Sequence, residues 1–144
     1  MVYPPLNMGW CAVCNMTDKG RYHSLMSKVG RQAVDEFEQQ REWEARALQA
    51  QAKAAQAYLR LVELAERSDT GQAARVARFL ASTFNGERYP LDLFELRMLD
   101  VALSDDALAC IDALRWGKAD LYKLLPDGER RIAELIASWG IDKP

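Results

Sequence analysis

With 144 residues, 49% of them apolar and 28% charged, and with only eight Gly and five Pro, the chain has the composition of an ordinary globular domain and not of a disordered or collagen-like one. A fold of this size buries roughly two-thirds of the surface its unfolded chain exposes, so a hydrophobic core can hold it without disulfide staples. The balance of 19 Lys and Arg against 21 Asp and Glu gives a formal charge of −2, without the basic excess that marks most nucleic-acid binders.

Residues 1–10 carry no basic n-region and contain the pair Pro4-Pro5, so they do not read as a signal peptide. No apolar run approaches the roughly 20 residues that span a bilayer. Cys11, Cys14 and Cys110 cannot all pair within one chain, and an odd count fits a reducing compartment. The expected location is cytoplasmic.

Residues 1–30 are punctuated by Pro4, Pro5, Gly9, Gly20 and Gly30, and they are expected to form an irregular arm, a candidate zinc knuckle, ahead of a helical domain over residues 31–144. From Arg31 to Arg67 no Gly or Pro intervenes, and the helix formers Ala, Gln, Glu, Arg and Leu dominate, which predicts one long helix. With Val34 taken as a heptad a position, Arg41 and Glu44 fall on the a and d seam, too polar for a regular coiled coil. Between Glu38 and Gln56 only Trp43 and Leu48 are large and apolar, whereas the run AYLRLVELAE at 57–66 belongs in a core.

Asp69 with Gln72 resembles a capping box and predicts a second helix whose stripe is Ala73, Val76, Ala77, Leu80 and Phe84, ending at Asn85-Gly86. Asp92 with Glu95 repeats the pairing ahead of Leu96, Leu99 and Leu103. Ser104 is read as the cap of a further helix, with Leu108, Ile111 and Leu114 inward and Gly117 at its end. Asp127 opens the last helix, where Ile132, Leu135, Ile136 and Trp139 share a face and Gly140 closes it. The expected fold is an all-α bundle of about five helices.

The segments DTGQAARVARFL and NGERYPLDLFELRMLDVALSDDALA, together with LIASWG, make the region of roughly 57–142 resemble an uncharacterised helical domain family found in proteins of proteobacterial plasmids, integrative elements and phages. The resemblance rests on a D-x-G-Q start, an Asn-Gly turn and a D-L-x-x-L-x-x-L-D run in that order. It implies the setting of a mobile-element accessory gene and assigns no catalytic residue.

Cys11-Ala12-Val13-Cys14 after Trp10 is similar to a thioredoxin motif, but no strand precedes it to complete that site. The pair also suggests zinc, the one cofactor these residues bring to mind, with Cys11, Cys14 and His23 as three ligands. A structural site needs a fourth ligand, which Asp18, Cys110 or a second copy of the chain would have to supply; a pair of ordinary reduced thiols is the simpler account. Six carboxylates between Asp92 and Asp112 are explained mainly by helix capping and solvation. Arg60, Arg67, Arg75, Arg78 and Arg88 gather around the second helix, where salt-bridged surface arginines are a better account than base reading.

No nucleophile is paired with a base and no phosphate-cradling loop is present, so an enzyme is not expected. The expected function is protein interaction: an inhibitor or adaptor of a mobile element acting on a host or element-encoded complex, counter-defence such as anti-CRISPR activity being one form. Trp43 and Leu48 are the expected apolar anchors, with Arg41 and Arg46 at the rim. The expected partner is a protein or protein complex, or a second copy; neither nucleic acid nor membrane is expected. The alternative is a small zinc-stabilised nucleic-acid-binding regulator.

Overall fold

The computed structural model describes residues 18–142, and among them every regular element is helical. In chain order these are α1 (Asp18–Arg67), α2 (Gly71–Phe84), a first 3-10 helix (Leu93–Met98), α3 (Val101–Trp116), a second 3-10 helix (Leu121–Leu124) and α4 (Gly128–Ser138). The expected all-α class and long N-terminal helix are both present. The chain divides into two compact units, Met1–Trp43 and Glu44–Pro144.

The first unit differs from the sequence expectation. Helix α1 begins at Asp18, thirteen residues before Arg31, so part of the stretch assigned to an irregular arm is helical. Gly30 sits inside it with open space where a Cβ would stand, so nothing in the packing demands glycine there. Described side chains in this unit from Arg21 to Trp43 are all exposed.

The second unit carries the core. Helix α1 contributes Ala54, Ala57, Tyr58, Leu61, Val62 and Ala65, from the segment expected to be buried. Its upstream positions Ala47 and Ala50 are buried too, because small side chains let a neighbouring surface approach the helix closely. From α2, Ala73, Val76, Ala77 and Leu80 are buried on the predicted stripe, and α4 adds Ile132, Leu135 and Ile136. Trp139, half-buried, donates its indole N–H to the Ala65 carbonyl at 3.0 Å and so fastens the end of α4 to α1. Arg131 and Glu66 form a two-pronged ion pair at 2.8 Å in each arm, which also joins those helices and holds the Glu66 carboxyl below its ordinary range.

Three local expectations are corrected. The N-cap of α2 is Thr70, not Asp69, its hydroxyl accepting from the Ala73 amide at 3.2 Å. The leucines after Asp92 stand on a 3-10 turn, and α3 starts at Val101, ahead of Ser104, because the backbone is extended at Leu99 and Asp100. Leu96, Leu99 and Leu103 nevertheless pack against the core. The inward face of α3 is Ala107, Cys110 and Ala113, while Leu108 and Leu114 are 54% and 40% exposed. Side chains of one to two heavy atoms at that spacing let α3 lie close to the core, and leucine would hold it away.

Because the buried side chains cluster in Glu44–Pro144, limited proteolysis of the full chain is expected to leave a resistant fragment containing that unit. Early cuts within α2 or α4, with residues 18–43 protected, would contradict this organisation.

Candidate functional site

The four residues expected at an interaction surface lie on α1, two in each unit. In the first unit Arg41 is exposed, and Trp43 is 47% exposed with Gln39 and Gln40 one turn before it. In the second, Leu48 is 59% exposed, and Arg46 places its guanidinium 5.6 Å from the centre of the Trp116 ring. The Arg115 guanidinium lies 4.7 Å from the centre of the same ring, so two cations lie against Trp116. Its indole N–H is buried without a hydrogen-bond partner in the structure. Arg46 is therefore engaged on its own domain. Sequence reasoning passed over Trp116 because its position just before the helix-ending Gly117 gave no sign that an arginine 70 positions earlier would reach it.

A second apolar surface was not anticipated. On and beside the first 3-10 helix, Leu93, Phe94, Met98 and Val101 are 69%, 68%, 57% and 76% exposed. The Asp92 carboxylate accepts from the Phe94 amide at 2.9 Å, and Arg97 lies 5.8 Å over the Phe94 ring. The only available signal was the close sequence Leu93-Phe94 after a capping Asp.

Charged side chains in this unit are largely matched. Asp106 takes two hydrogen bonds from Arg60, at 2.6 and 3.0 Å, Glu95 pairs with Arg75 at 2.5 Å and Arg78 at 3.5 Å, and Asp112 pairs with Arg115. Arg67 pairs with Glu63 and Arg88 with Asp142. All five arginines considered for nucleic-acid contact thus have a carboxylate partner, Arg75 and Arg78 sharing Glu95. An open groove of about 590 Å³ is lined by Lys123, Asp127 and Arg130 among others, and Lys123 and Arg130 are already in ion pairs.

Of the zinc candidates, Cys11 and Cys14 lie outside the described residues, and His23 is exposed on α1. Cys110 is fully buried in the core, where desolvation pushes its thiol up to about 12. Among the described residues no group of three or more His, Cys, Asp or Glu side chains converges on a metal position.

The motif residues turn out to hold one another. Gln72, from D-x-G-Q, donates its amide to the Met98 carbonyl at 2.9 Å and accepts the Asp100 backbone N–H at 3.2 Å. One side chain thereby satisfies a donor and an acceptor at the junction between the first 3-10 helix and α3, where the D-L-x-x-L-x-x-L-D run ends. The first motif thereby holds the end of the second.

These features define an all-helical domain whose recognisable sequence motifs are structural clamps and caps. The chain belongs to the Family of unknown function (DUF7673), whose model matches residues 55–140. No curated protein and no solved structure matches it. No described helix is long and apolar enough to cross a membrane.

Proposed function

We propose that the protein is a non-enzymatic interaction protein of a mobile genetic element, acting in the cytoplasm as an inhibitor or adaptor on a host or element-encoded protein complex, counter-defence of the anti-CRISPR kind included. The observation that carries the reading is Trp43, a large aromatic left 47% exposed on a helix whose adjacent turns are polar. Tryptophan is enriched among the few residues that dominate binding energy at interfaces, and a solvated helix has no use for one. Leu48, at 59% exposure, supports the reading independently from the second unit. The mobile-element setting comes from the sequence resemblance and the family assignment adds no chemistry to it.

Truncating Trp43 to alanine is expected to cost about 2 kcal/mol or more of binding to the captured protein, because a central anchor loses its desolvated contact. The melting temperature should barely change, since the side chain is outside the core. Pull-down of the tagged protein from its host, followed by mass spectrometry, reads the first quantity and a thermal scan the second. A large stability loss with undiminished capture would assign Trp43 to packing and remove it from the interface.

A further inference from the structure

Positive charge in the second unit is matched almost everywhere, and two of the exceptions meet. Apart from Arg97, which lies over Phe94, every lysine and arginine from Arg60 to Arg131 has a carboxylate in ion-pair contact. Arg46 and Lys53 of α1 have none among the described residues, and both line one small cavity of about 80 Å³. Positions 46, 50 and 53 fall on one face of α1, and 112, 115 and 116 on one face of α3, so the cavity lies where these two faces meet. Ala50 is buried there, and its small side chain leaves the space open.

The charge lining this cavity does not cancel. Asp112 is engaged by Arg115 at 2.5 Å, which leaves Arg46 and Lys53 as two uncompensated cations. The contact of Arg46 with the Trp116 ring leaves its charge in place. Trp116 also lines the cavity, and its indole N–H is the buried side-chain donor that lacks an acceptor among the described residues. An indole can only donate, so what satisfies it must carry a lone pair. The volume is well below the roughly 300 Å³ at which pockets for organic ligands begin, which restricts the occupant to a small group. We propose that this cavity binds a single phosphate group, held by Arg46 and Lys53 with the Trp116 indole as a further donor. A phosphate carries a charge of about −1.5 to −2, which matches the two cations, and offers three acceptor oxygens. The group is either the free ion or the phosphorylated end of a larger molecule.

The inference goes beyond the capture of another protein and does not rest on it. Inorganic phosphate titrated into the 15N-labelled full chain should shift the Trp116 indole N–H resonance saturably, whereas sodium chloride at equal ionic strength should not. Trp116→Phe identifies that resonance by its loss. Trp139, whose indole N–H is already bonded to the Ala65 carbonyl, should stay in place. Arg46→Gln and Lys53→Gln, both at exposed positions, should each weaken binding about tenfold, as the loss of a charge-assisted hydrogen bond does. Thermal scans check that both variants keep the fold. Arg130→Gln, which alters an ion-paired cation on α4, should bind as the parent chain does. O-phosphoserine in place of inorganic phosphate separates the two sources: equal binding assigns a group carried on another molecule, and weaker binding assigns the free ion. No saturable shift with either probe, binding unchanged in both glutamine variants of α1, or an equal loss in Arg130→Gln would each overturn the proposal. Loss of phosphate binding with protein capture intact leaves the functional reading standing, and the reverse leaves this one standing.

Discussion

Replacing Gly128 with alanine is expected to destabilise the fold by about 3 kcal/mol, which for a chain of this size lowers the melting temperature by about 10 °C. A Cβ built on Gly128 would stand 1.8 Å from the Tyr122 carbonyl oxygen and 2.8 Å from its carbon. Both are backbone atoms of the second 3-10 helix, so no side chain can swing away to relieve the overlap. The glycine is buried at the first position of α4, directly after Asp127, whose φ of 53° turns the chain into the helix. Room for the methyl requires shifting either α4 or the 3-10 turn, and Leu121, Leu125, Ile132 and Leu135 from those elements are all in the core. Thermal unfolding of Gly128→Ala beside Gly30→Ala supplies the comparison. Gly30 has open space around it, so alanine there should be neutral or slightly stabilising in a helix.

Tyr58 gives the second large effect and separates packing from hydrogen bonding. It is fully buried in the core, and its phenol is pushed up to about 12 by that burial. Its hydroxyl lies 3.2 Å from Thr83 Oγ1, and the Thr83 hydroxyl donates to the Leu80 carbonyl at 2.8 Å. Tyr58 is therefore the donor of the pair. Tyr58→Ala should cost about 4 kcal/mol through lost burial and the cavity left behind. Tyr58→Phe should cost only about 1 kcal/mol, since Thr83 keeps its own acceptor and loses one incoming bond. Denaturant titration of both variants checks the ratio. Equal losses would mean that the hydrogen bond, not the ring, holds this part of the core.

The elements that could be read from sequence were those whose inward residues are large. Val76 and Leu80 on α2, and Ile132, Leu135 and Ile136 on α4, recur at the helical period and are buried where that period places them. Helix α3 misled because its buried side is Ala107, Cys110 and Ala113, and a periodicity search follows Leu108 and Leu114 instead. The spacing of Leu96 and Leu99 suits an α-helix and a 3-10 turn equally. What decides between them is the extended backbone at Leu99 and Asp100, held in part by Gln72 from 28 residues earlier. Glycines misled in the other direction, since Gly20 and Gly30 suggested a break and α1 runs through both.

At the candidate site, the exposure of Trp43 and Leu48 was legible because their sequence neighbours one turn away are mostly polar. The role of Arg46 was not, because it depends on Trp116 across the domain. The apolar surface around Phe94 does not stand out in the sequence because Leu96, Leu99 and Leu103 form a competing stripe in the same segment, and it is those leucines that pack against the core.

The interaction reading is tested most directly by comparing what co-purifies, at defined stoichiometry, with the parent chain, with Trp43→Ala and with Leu48→Ala from the native host. The account predicts one protein or complex held by the parent chain and lost or strongly reduced with Trp43→Ala, while the melting temperatures of all three agree closely. Recovery of the same protein in equal amount with all three chains, or of no stoichiometric protein with the parent, would contradict it.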